Sequence, residues 1–590
     1  MFVSTSAKNQ TVIIVGAGPV GLSLAGDLGW RGIDCILLEE SDGRIYQPKM
    51  DGVNVRTMEF CRRWGISDAV HGCDYPQDVP QDMVYLTSFT GFELGRESFT
   101  KPSGTLEDLR KGSSPEVRAR CPQNLFDPIL QDFARRQPSV KLAYNSRFLG
   151  YRETEAGVEI DVEDTATGER RTLNGAYLVG CDGASSSVRK ALGIEMVGNG
   201  ALTYTTNVIF RCKDFWSLHD KRYGYRHLLI GPEGVWGTCV AINGRDQWRL
   251  SIIGTGEPRK LTPAEIDAAI ERTLGKPFAF EVLTMVPWVR RELVAQSYRK
   301  GRVFIAGDSA HVMSPTGGFG MNTGIADAVD LAWKLEAALR GWGGERLLDS
   351  YSHERLPVAA RAAREASGNL LRTLSPGANP GLLEPGFEAG KLRYEVGRRY
   401  SASMLREWYK LGVDLGYEYG GSAVIGPDDA KNPVDDLPVM EWLARVENPS
   451  PTLIREWHKL SVHMTEGTPV QLDREELHPG DVMIYRGSTR PGARAAHVWL
   501  EDGSSTLDFF GKSFVLLVME ADESGVADEM MKAAQACGMP LKVEHCDDPL
   551  VRQAYGAGFS LVRPDGHVAW RGNGKPSVGA AKLIDTVRGL

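Results

Sequence analysis

Thr11-Val12-Ile13-Ile14-Val15 is apolar on both faces and rich in β-branched residues. A strand of that kind belongs inside a parallel sheet that is covered on both sides. Glycines follow at once in Gly16-Ala17-Gly18-Pro19-Val20-Gly21, and a helical stretch over 20–30 comes next. Cys35-Ile36-Leu37-Leu38 predicts a second strand, with Glu39 at its end. Val55, Met58, Cys61 and Trp64 recur at helical spacing, so residues 1–75 read as strand, helix, strand and a further helix. The same cadence of buried strand and then glycine returns twice. Tyr177-Leu178-Val179-Gly180 leads to Asp182-Gly183, and Val303-Phe304-Ile305-Ala306 leads to Gly307-Asp308. Residues 140–163 alternate and carry turn signals, which predicts antiparallel strands. Strand patterns dominate 200–290, at 204–211, 227–230 and 248–253. Ile325, Ala328, Ala332, Leu335 and Leu339 then form one face of a helix.

Beyond that helix the pattern loosens. Residues 375–386 and 420–438 are loop-like, and a C-terminal domain is expected to begin near residue 455. Residues 514–519 predict a buried strand, 523–537 a helix and 541–544 a strand. Residues 560–563 and 568–570 flank the turn Pro564-Asp565-Gly566, which signals a hairpin.

At 590 residues the chain exceeds a single core. A formal net charge of -8 gives no reason to expect nucleic acid or an anionic membrane as partner. No apolar run approaches the ~20 residues of a membrane span, and the start of the chain lacks a signal-peptide pattern. The nine cysteines are scattered without a C-x-x-C pair. That argues against a zinc site and a disulfide framework, and for the cytoplasm.

The glycine motifs point to a phosphate-bearing cofactor. Gly16 suits a tight turn, Gly18 a close backbone approach to a pyrophosphate, and Gly21 close packing of helix on strand. Pro19 opens the helix, whose N-terminal amides face the anion. Glu39 suits ribose hydroxyls and disfavours a 2′-phosphate, which fits the AMP half of FAD or NAD. Asp182 and Arg189 also admit a plainer reading, in which Asp182 caps the next helix and Arg189 pairs with a surface carboxylate. The glycine-rich loop Ser314-Pro315-Thr316-Gly317-Gly318-Phe319-Gly320-Met321-Asn322 lets backbone approach a flat ligand. Helix N-terminal amides there can hold a developing negative charge.

Taken together, in this order, these motifs resemble the single-component FAD-dependent aromatic hydroxylases typified by para-hydroxybenzoate hydroxylase and phenol hydroxylase. The resemblance covers roughly residues 10–370. It implies that Glu39 binds the AMP ribose and that Asp182 lies near the pyrophosphate, where NADPH or NADH is received. It implies further that Gly307 and Asp308 hold the ribityl chain, and that the amides following Gly320, at Met321 and Asn322, meet the flavin pyrimidine edge. Pro315 would lie beside the reacting ring and Gln123 would touch the flavin. Pro48-Lys49-Met50 stands where the family often has Pro-Arg-Ala, so a cofactor contact by Lys49 is left open. Met50-Asp51-Gly52 looks like the Ala-Asp-Gly of the phenol hydroxylase branch, in which the aspartate helps to deprotonate the phenol. A phenolate attacks an electrophilic flavin C4a-hydroperoxide far better than a phenol of pKa ~10 does. Arg222, Tyr223 and His227 are candidate pocket groups on the sheet.

Pro491-Gly492-Ala493-Arg494-Ala495-Ala496-His497 resembles the entrance to the thioredoxin-like domain of larger family members. Without C-x-x-C that domain cannot exchange dithiols; it is expected to pack structurally, with a homodimer contact as one role. The expected fold is α/β, with a Rossmann-type FAD-binding domain (1–200 and 290–375) interleaved with a β-sheet substrate domain (201–289, plus segments near 76–104). A helical linker (376–454) and the thioredoxin-like domain (455–590) complete it. The expected activity is NAD(P)H- and O2-dependent hydroxylation of a phenolic or polyketide-like aromatic. The rivals are a reductase, oxidase or halogenase on the same fold, an NAD dehydrogenase, and a non-catalytic binding protein. The halogenase mark Trp-x-Trp-x-Ile-Pro is absent, and a dehydrogenase leaves Gly307-Asp308 unexplained.

Overall fold

The computed structural model describes residues 10–45, 48–76, 78–99, 112–254, 257–447, 449–469 and 476–590. The strand Val12–Val15 is buried along its length, as a strand apolar on both faces must be. It sits inside a six-stranded sheet in the order Arg299–Lys300, Val303–Ile305, Tyr177–Gly180, Val12–Val15, Cys35–Leu38 and Val140–Ala143. All its pairings are parallel except the edge pair, in which Arg299–Lys300 folds back on Val303–Ile305. The parallel order brings the glycine motifs after residues 15, 180 and 305 to the same end of adjacent strands. Val140–Ala143 departs from the antiparallel pattern expected of it. It follows the helix Gln123–Arg135 and pairs parallel to Cys35–Leu38, as a strand reached through a crossover helix does. The antiparallel meander is Ser146–Thr154, Gly157–Asp164 and Arg170–Gly175.

A second, eight-stranded sheet runs from His311–Val312 through Glu281–Ala295, Met196–Arg211, Gln247–Ile253, Gly234–Ala241, Arg226–Gly231 and Met83–Leu86 to Glu93–Glu97. Register fixes which side chains share a face. Arg226, Val240, Arg249 and Ile209 lie opposite one another across four strands, and Arg290 lies opposite Thr203 on the same face. His227, Cys239, Leu250 and Val208 take the other face. There they join a core with Phe89, Trp248, Ile266 and Ile270. The helix Phe387–Trp408 covers part of the arginine face, packing Val396, Tyr400 and Met404 on Tyr85, Leu228 and Ile230.

Residue 455 falls inside the helix Pro451–Glu466, whose Leu460 packs with Leu405 and Tyr409. The C-terminal sheet itself is Leu541–His545, Phe514–Val518, Phe559–Val562 and Val568–Gly572, one parallel pair followed by two antiparallel pairs. With the helices Val526–Ala536 and Ala580–Val587 it forms a thioredoxin-like unit. Buried ion pairs fasten this unit to the rest. Arg563 bonds Glu354 at 2.7 Å, Asp330 at 3.0 Å and Asp565 at 2.6 Å, all fully or nearly fully out of solvent. Lys334 bonds Asp330 at 2.8 Å and Glu354 at 2.6 Å. Arg494, from the Pro-Gly-Ala-Arg stretch, pairs with Glu59, and Arg31 donates to the carbonyl of Gly511 at 2.7 Å. Among the described residues no helix is long and apolar enough to cross a membrane.

Candidate active site

The strand end after Val15 and the helix Pro19–Trp30 can meet only without intervening side chains. Gly16 has φ +102°, and a Cβ there would lie 2.4 Å from the carbonyl oxygen of Cys181. A Cβ on Gly21 would lie 1.9 Å from the carbonyl oxygen of Gly16. Gly18 caps the helix, with Pro19 next, and faces open space where a Cβ would point. Glu39 accepts from the amides of Ala17 and Ser41, both at 2.9 Å. Its carboxylate is thereby fixed beside the glycine turn.

Asp182 accepts from Ser186 Oγ at 2.5 Å, the Ser187 amide at 2.6 Å and Ser309 Oγ at 3.1 Å. The capping reading therefore describes its carboxylate. Arg189 makes no carboxylate pair; it donates to the carbonyls of Ser309 at 2.9 Å and Ala184 at 3.1 Å. The Gly183 amide also reaches Ser309 Oγ, at 3.1 Å. The second and third motifs are thus stitched together through Ser309, beside the first.

Gly307 donates its amide to Asp327 at 3.1 Å, while the neighbouring Asp308 accepts no hydrogen bond from the described residues. Asp308 keeps an exposed surface although protein packs closely around it. Enclosure by protein pushes its carboxyl up from the usual range, with His311 and Lys49 pulling it back. Pro315, seven residues on, is exposed, and the Gly317 amide is held by Glu407 at 3.0 Å. Gly320 and Met321 open the helix Gly320–Leu339, which has no side-chain cap, so its first amides are free to meet an acceptor. The Asn322 side chain is committed elsewhere. It accepts from the Asn54 amide at 2.9 Å and Thr57 Oγ1 at 2.8 Å, and donates to the carbonyls of Gly318 at 2.8 Å and Gly52 at 3.2 Å. Gln123 is likewise committed, accepting from the Lys49 amide at 3.0 Å and donating to Asp127 at 3.1 Å. Burial pushes the Asp127 carboxyl up to about 7. The open side of Gly18, the uncapped amides and the unbonded Asp308 carboxylate suit a long dinucleotide with polyol and phosphate groups.

Asn322 ties this loop to the segment that carries Asp51. The Asp51 carboxylate accepts from Arg120 at 2.8 Å, from Arg249 at 3.3 Å and from the Tyr225 hydroxyl in a short contact. Arg120 also stacks over the Tyr225 ring at 3.5 Å from its centre. Burial alone would raise the Asp51 carboxyl, but Arg120, Arg249 and the tyrosine hydroxyl outweigh it and hold it below the usual carboxylate range. Burial keeps Tyr225 protonated, with its pKa well above the ordinary tyrosine value.

The substrate candidates read from the sequence take no part in the hydrogen bonds around Asp51. Arg222 and Tyr223 are exposed; their carbonyls bind Arg96, and the Tyr223 ring stacks on Trp216. His227 lies on the far face of the sheet among Phe89 and Trp248, and burial pushes it down to about 3. The tyrosine that meets Asp51 is Tyr225, with Arg120 and Arg249 beside it. A cavity of about 230 Å³ at the C-terminal seam, between Trp30, Arg63, Leu507 and Phe510, is lined by neither Asp51 nor Asp308.

Residues 9–366 match the FAD binding domain family, and residues 488–589 match the family described as aromatic-ring hydroxylase, C-terminal. The chain belongs to the FAD-dependent aromatic-ring hydroxylases. The FAD-dependent monooxygenase apdD of Emericella nidulans is 30% identical, over 96% of this chain and 88% of its own. Aklavinone 12-hydroxylase RdmE of Streptomyces purpurascens is 31% identical, over 98% of this chain and 97% of its own. The rebeccamycin biosynthetic enzyme RebC with reduced flavin superposes with a TM-score of 0.83 at 33% identity, covering 98% of this chain and 99% of that one. The hydroxylase is thus an FAD enzyme that uses NAD(P)H and O2 to hydroxylate an aromatic ring.

For this hydroxylase, Asp308→Ala is expected to weaken FAD retention by ~1.5–3 kcal/mol, the worth of a hydrogen bond to a charged acceptor. Flavin fluorescence on dilution measures it, and unchanged affinity would remove Asp308 from the site. The C-terminal thiols are expected to be idle. Cys537 is spent on the carbonyl of Ala534 at 3.3 Å, and Cys546 is buried. Replacing both by serine should leave turnover intact; lost hydroxylation in a folded variant would contradict a purely structural C-terminal unit.

Proposed function

We propose that the ring to be hydroxylated is phenolic, on a simple or polyketide-like aromatic scaffold, and that its hydroxyl docks at Tyr225. The observation that carries this reading is the Tyr225–Asp51 hydrogen bond inside the Arg120–Arg249 cage. Tyr225 spends its proton on Asp51, which leaves its oxygen able to accept a hydrogen bond. A substrate hydroxyl donating there passes its proton to Tyr225 as Tyr225 passes its own to Asp51. The net result is a substrate phenolate and a protonated Asp51. A carboxylate held at low pKa is a weak base, so the phenolate needs stabilisation of its own. Arg226 and Arg290, on the same sheet face as Arg249, add positive charge toward it.

Bound FAD supplies the electrophilic oxygen. Gly16, Gly18, Pro19, Gly21 and Glu39 would hold its AMP half and Asp308 its polyol. The amides of Met321 and Asn322 would face its ring edge, and Pro315 its reacting face. Glu407 fixes the loop through Gly317. We also place the enzyme in the cytoplasm, a reading supported by nine unpaired cysteines. The test is a panel of phenols and their methyl ethers. Phenols should accelerate NAD(P)H oxidation and return products heavier by one oxygen; equal acceleration by the ethers would sink the phenolic requirement.

A further inference from the structure

The cavity of about 230 Å³ at the C-terminal seam carries a cation that the protein leaves unmatched. Its charged walls are Arg56, Arg62, Arg63, Glu59 and Asp508. Arg56 donates to Glu59 at 2.7 Å, and Arg62 donates to both oxygens of Asp508, at 2.8 Å and 2.9 Å. Arg63 ends the helix Val55–Arg63 and pairs with no carboxylate among the described residues. Its Nη1 is shut off from solvent without a hydrogen-bond partner. Asp27 and Asp565 act on it through space, but they are held by Arg31 at 3.4 Å and by Arg563 at 2.6 Å. Gly566, at φ +84°, keeps the space beside the guanidiniums clear. A Cβ there would lie 3.2 Å from Arg63 Nη2 and 3.6 Å from Arg56 Nη2. The remaining walls, Trp30, Pro115, Leu507 and Phe510, are apolar. The cofactor cleft and the Asp51 relay use none of these side chains.

We propose that this cavity is a binding site for a small aromatic carboxylate, separate from the site that holds Asp51. Three guanidiniums against two carboxylates leave one positive charge over, which fits a monoanion. A guanidinium fork matches a planar carboxylate with two parallel hydrogen bonds. Enclosing Arg63 without a partner costs free energy, and a bound carboxylate removes that cost. The ring then lies among Trp30, Leu507 and Phe510, whose apolar and aromatic surfaces favour it. Size agrees with this. An apolar cavity of ~150 Å³ accommodates benzene, so about 230 Å³ takes one ring and its carboxylate. Trp30 and Arg63 belong to the FAD binding domain, and Leu507 and Phe510 to the C-terminal unit. An occupant therefore touches both sides of the seam. The inference stands on this cavity and not on the phenolic reading of the active site.

The test titrates 4-fluorobenzoate into the FAD-loaded enzyme and follows binding by calorimetry and fluorine NMR. This probe has no hydroxyl to donate to Tyr225. The expected result is one molecule bound per chain with the flavin absorbance unchanged. Arg63→Met should weaken binding by about 10–100-fold, the order of a hydrogen bond to a charged group. It breaks no ion pair of the folded chain, so it should keep the parent's unfolding midpoint and hydroxylation rate. Leu507→Trp fills the cavity while leaving Arg63 in place, and should weaken binding as well. The methyl ester lacks the charge and inorganic phosphate lacks the ring, so each should bind at least about 10-fold more weakly than 4-fluorobenzoate. Equal binding by the ester would mean that Arg63 takes no part, and equal binding by phosphate that the apolar walls take none. Either result would overturn the proposal. So would an absence of binding at millimolar probe, or unchanged affinity in Arg63→Met and Leu507→Trp. Binding that perturbs the flavin band and survives Arg63→Met would place the carboxylate in the catalytic pocket, which also contradicts it.

Discussion

Asp51→Asn is expected to cut product formation by ~10²–10⁴-fold, the usual cost of losing a general base, while NAD(P)H consumption continues and H2O2 accumulates. Asparagine keeps the size of aspartate and can still accept from Arg120 and Tyr225, but it cannot take the phenolic proton. Delivery of hydride needs no phenolate, so the two half-reactions separate. The direction with pH follows from the charge states. Arg120, Arg249 and Tyr225 hold Asp51 below the usual carboxylate range, so it stays ionised from neutral pH upward. Coupling in the parent enzyme should therefore not follow a carboxyl titration between about pH 6.5 and about pH 9.5. In the variant, coupling should climb across that span, because solvent supplies more phenolate as pH nears the free phenol value of ~10. Tyr225→Phe breaks the same relay at its other end and should uncouple in the same way. Full coupling of Asp51→Asn at neutral pH would return Asp51 to the role of a turn residue.

The second large effect is on stability. Arg563→Met should destabilise the protein by about 3–5 kcal/mol, as breaking a buried ion pair from one side does. The substitution leaves Asp330 and Glu354 facing Lys334 alone, and leaves Asp565 without its guanidinium. The lost cation also stacks on Trp333 and Tyr419, so packing is lost along with charge. Arg152→Met is the comparison. Arg152 pairs with Glu159 and Asp161 at an exposed edge, where such pairs contribute about 0–1 kcal/mol. Urea unfolding of both variants distinguishes them. A shift for Arg563→Met no larger than for Arg152→Met would mean that the C-terminal unit is not fastened by this cluster.

The cofactor face was legible because its information is local. Val12–Val15, Cys35–Leu38, Tyr177–Gly180 and Val303–Ile305 are short strands apolar on both faces, each followed by a turn, and that pattern is dictated by a parallel sheet. Asp51 was legible only through its neighbours in sequence. Its partners were not, since Gly52–Val53 and Ala119–Arg120 pair as two-residue strands too short to leave a period. Tyr225 was missed in favour of Tyr223 and His227 because nothing local says where the strand starts. It begins at Arg226, and its register alone turns His227 to the aromatic core. Val140–Ala143 alternates like an antiparallel strand, yet the preceding helix commits it to parallel pairing. The Arg563 cluster joins residues more than two hundred positions apart, and no window of sequence contains it.

The most direct measurement of the central claim is the isotopic balance of one reaction. FAD-loaded enzyme is given NAD(P)H, a phenol that accelerates its oxidation, and ¹⁸O2, and the product is weighed. The predicted result is one ¹⁸O atom in the new hydroxyl for each NAD(P)H consumed, falling away in Asp51→Asn as labelled peroxide takes its place. A product without label, or NAD(P)H oxidation that yields only peroxide with every phenol tried, would contradict it.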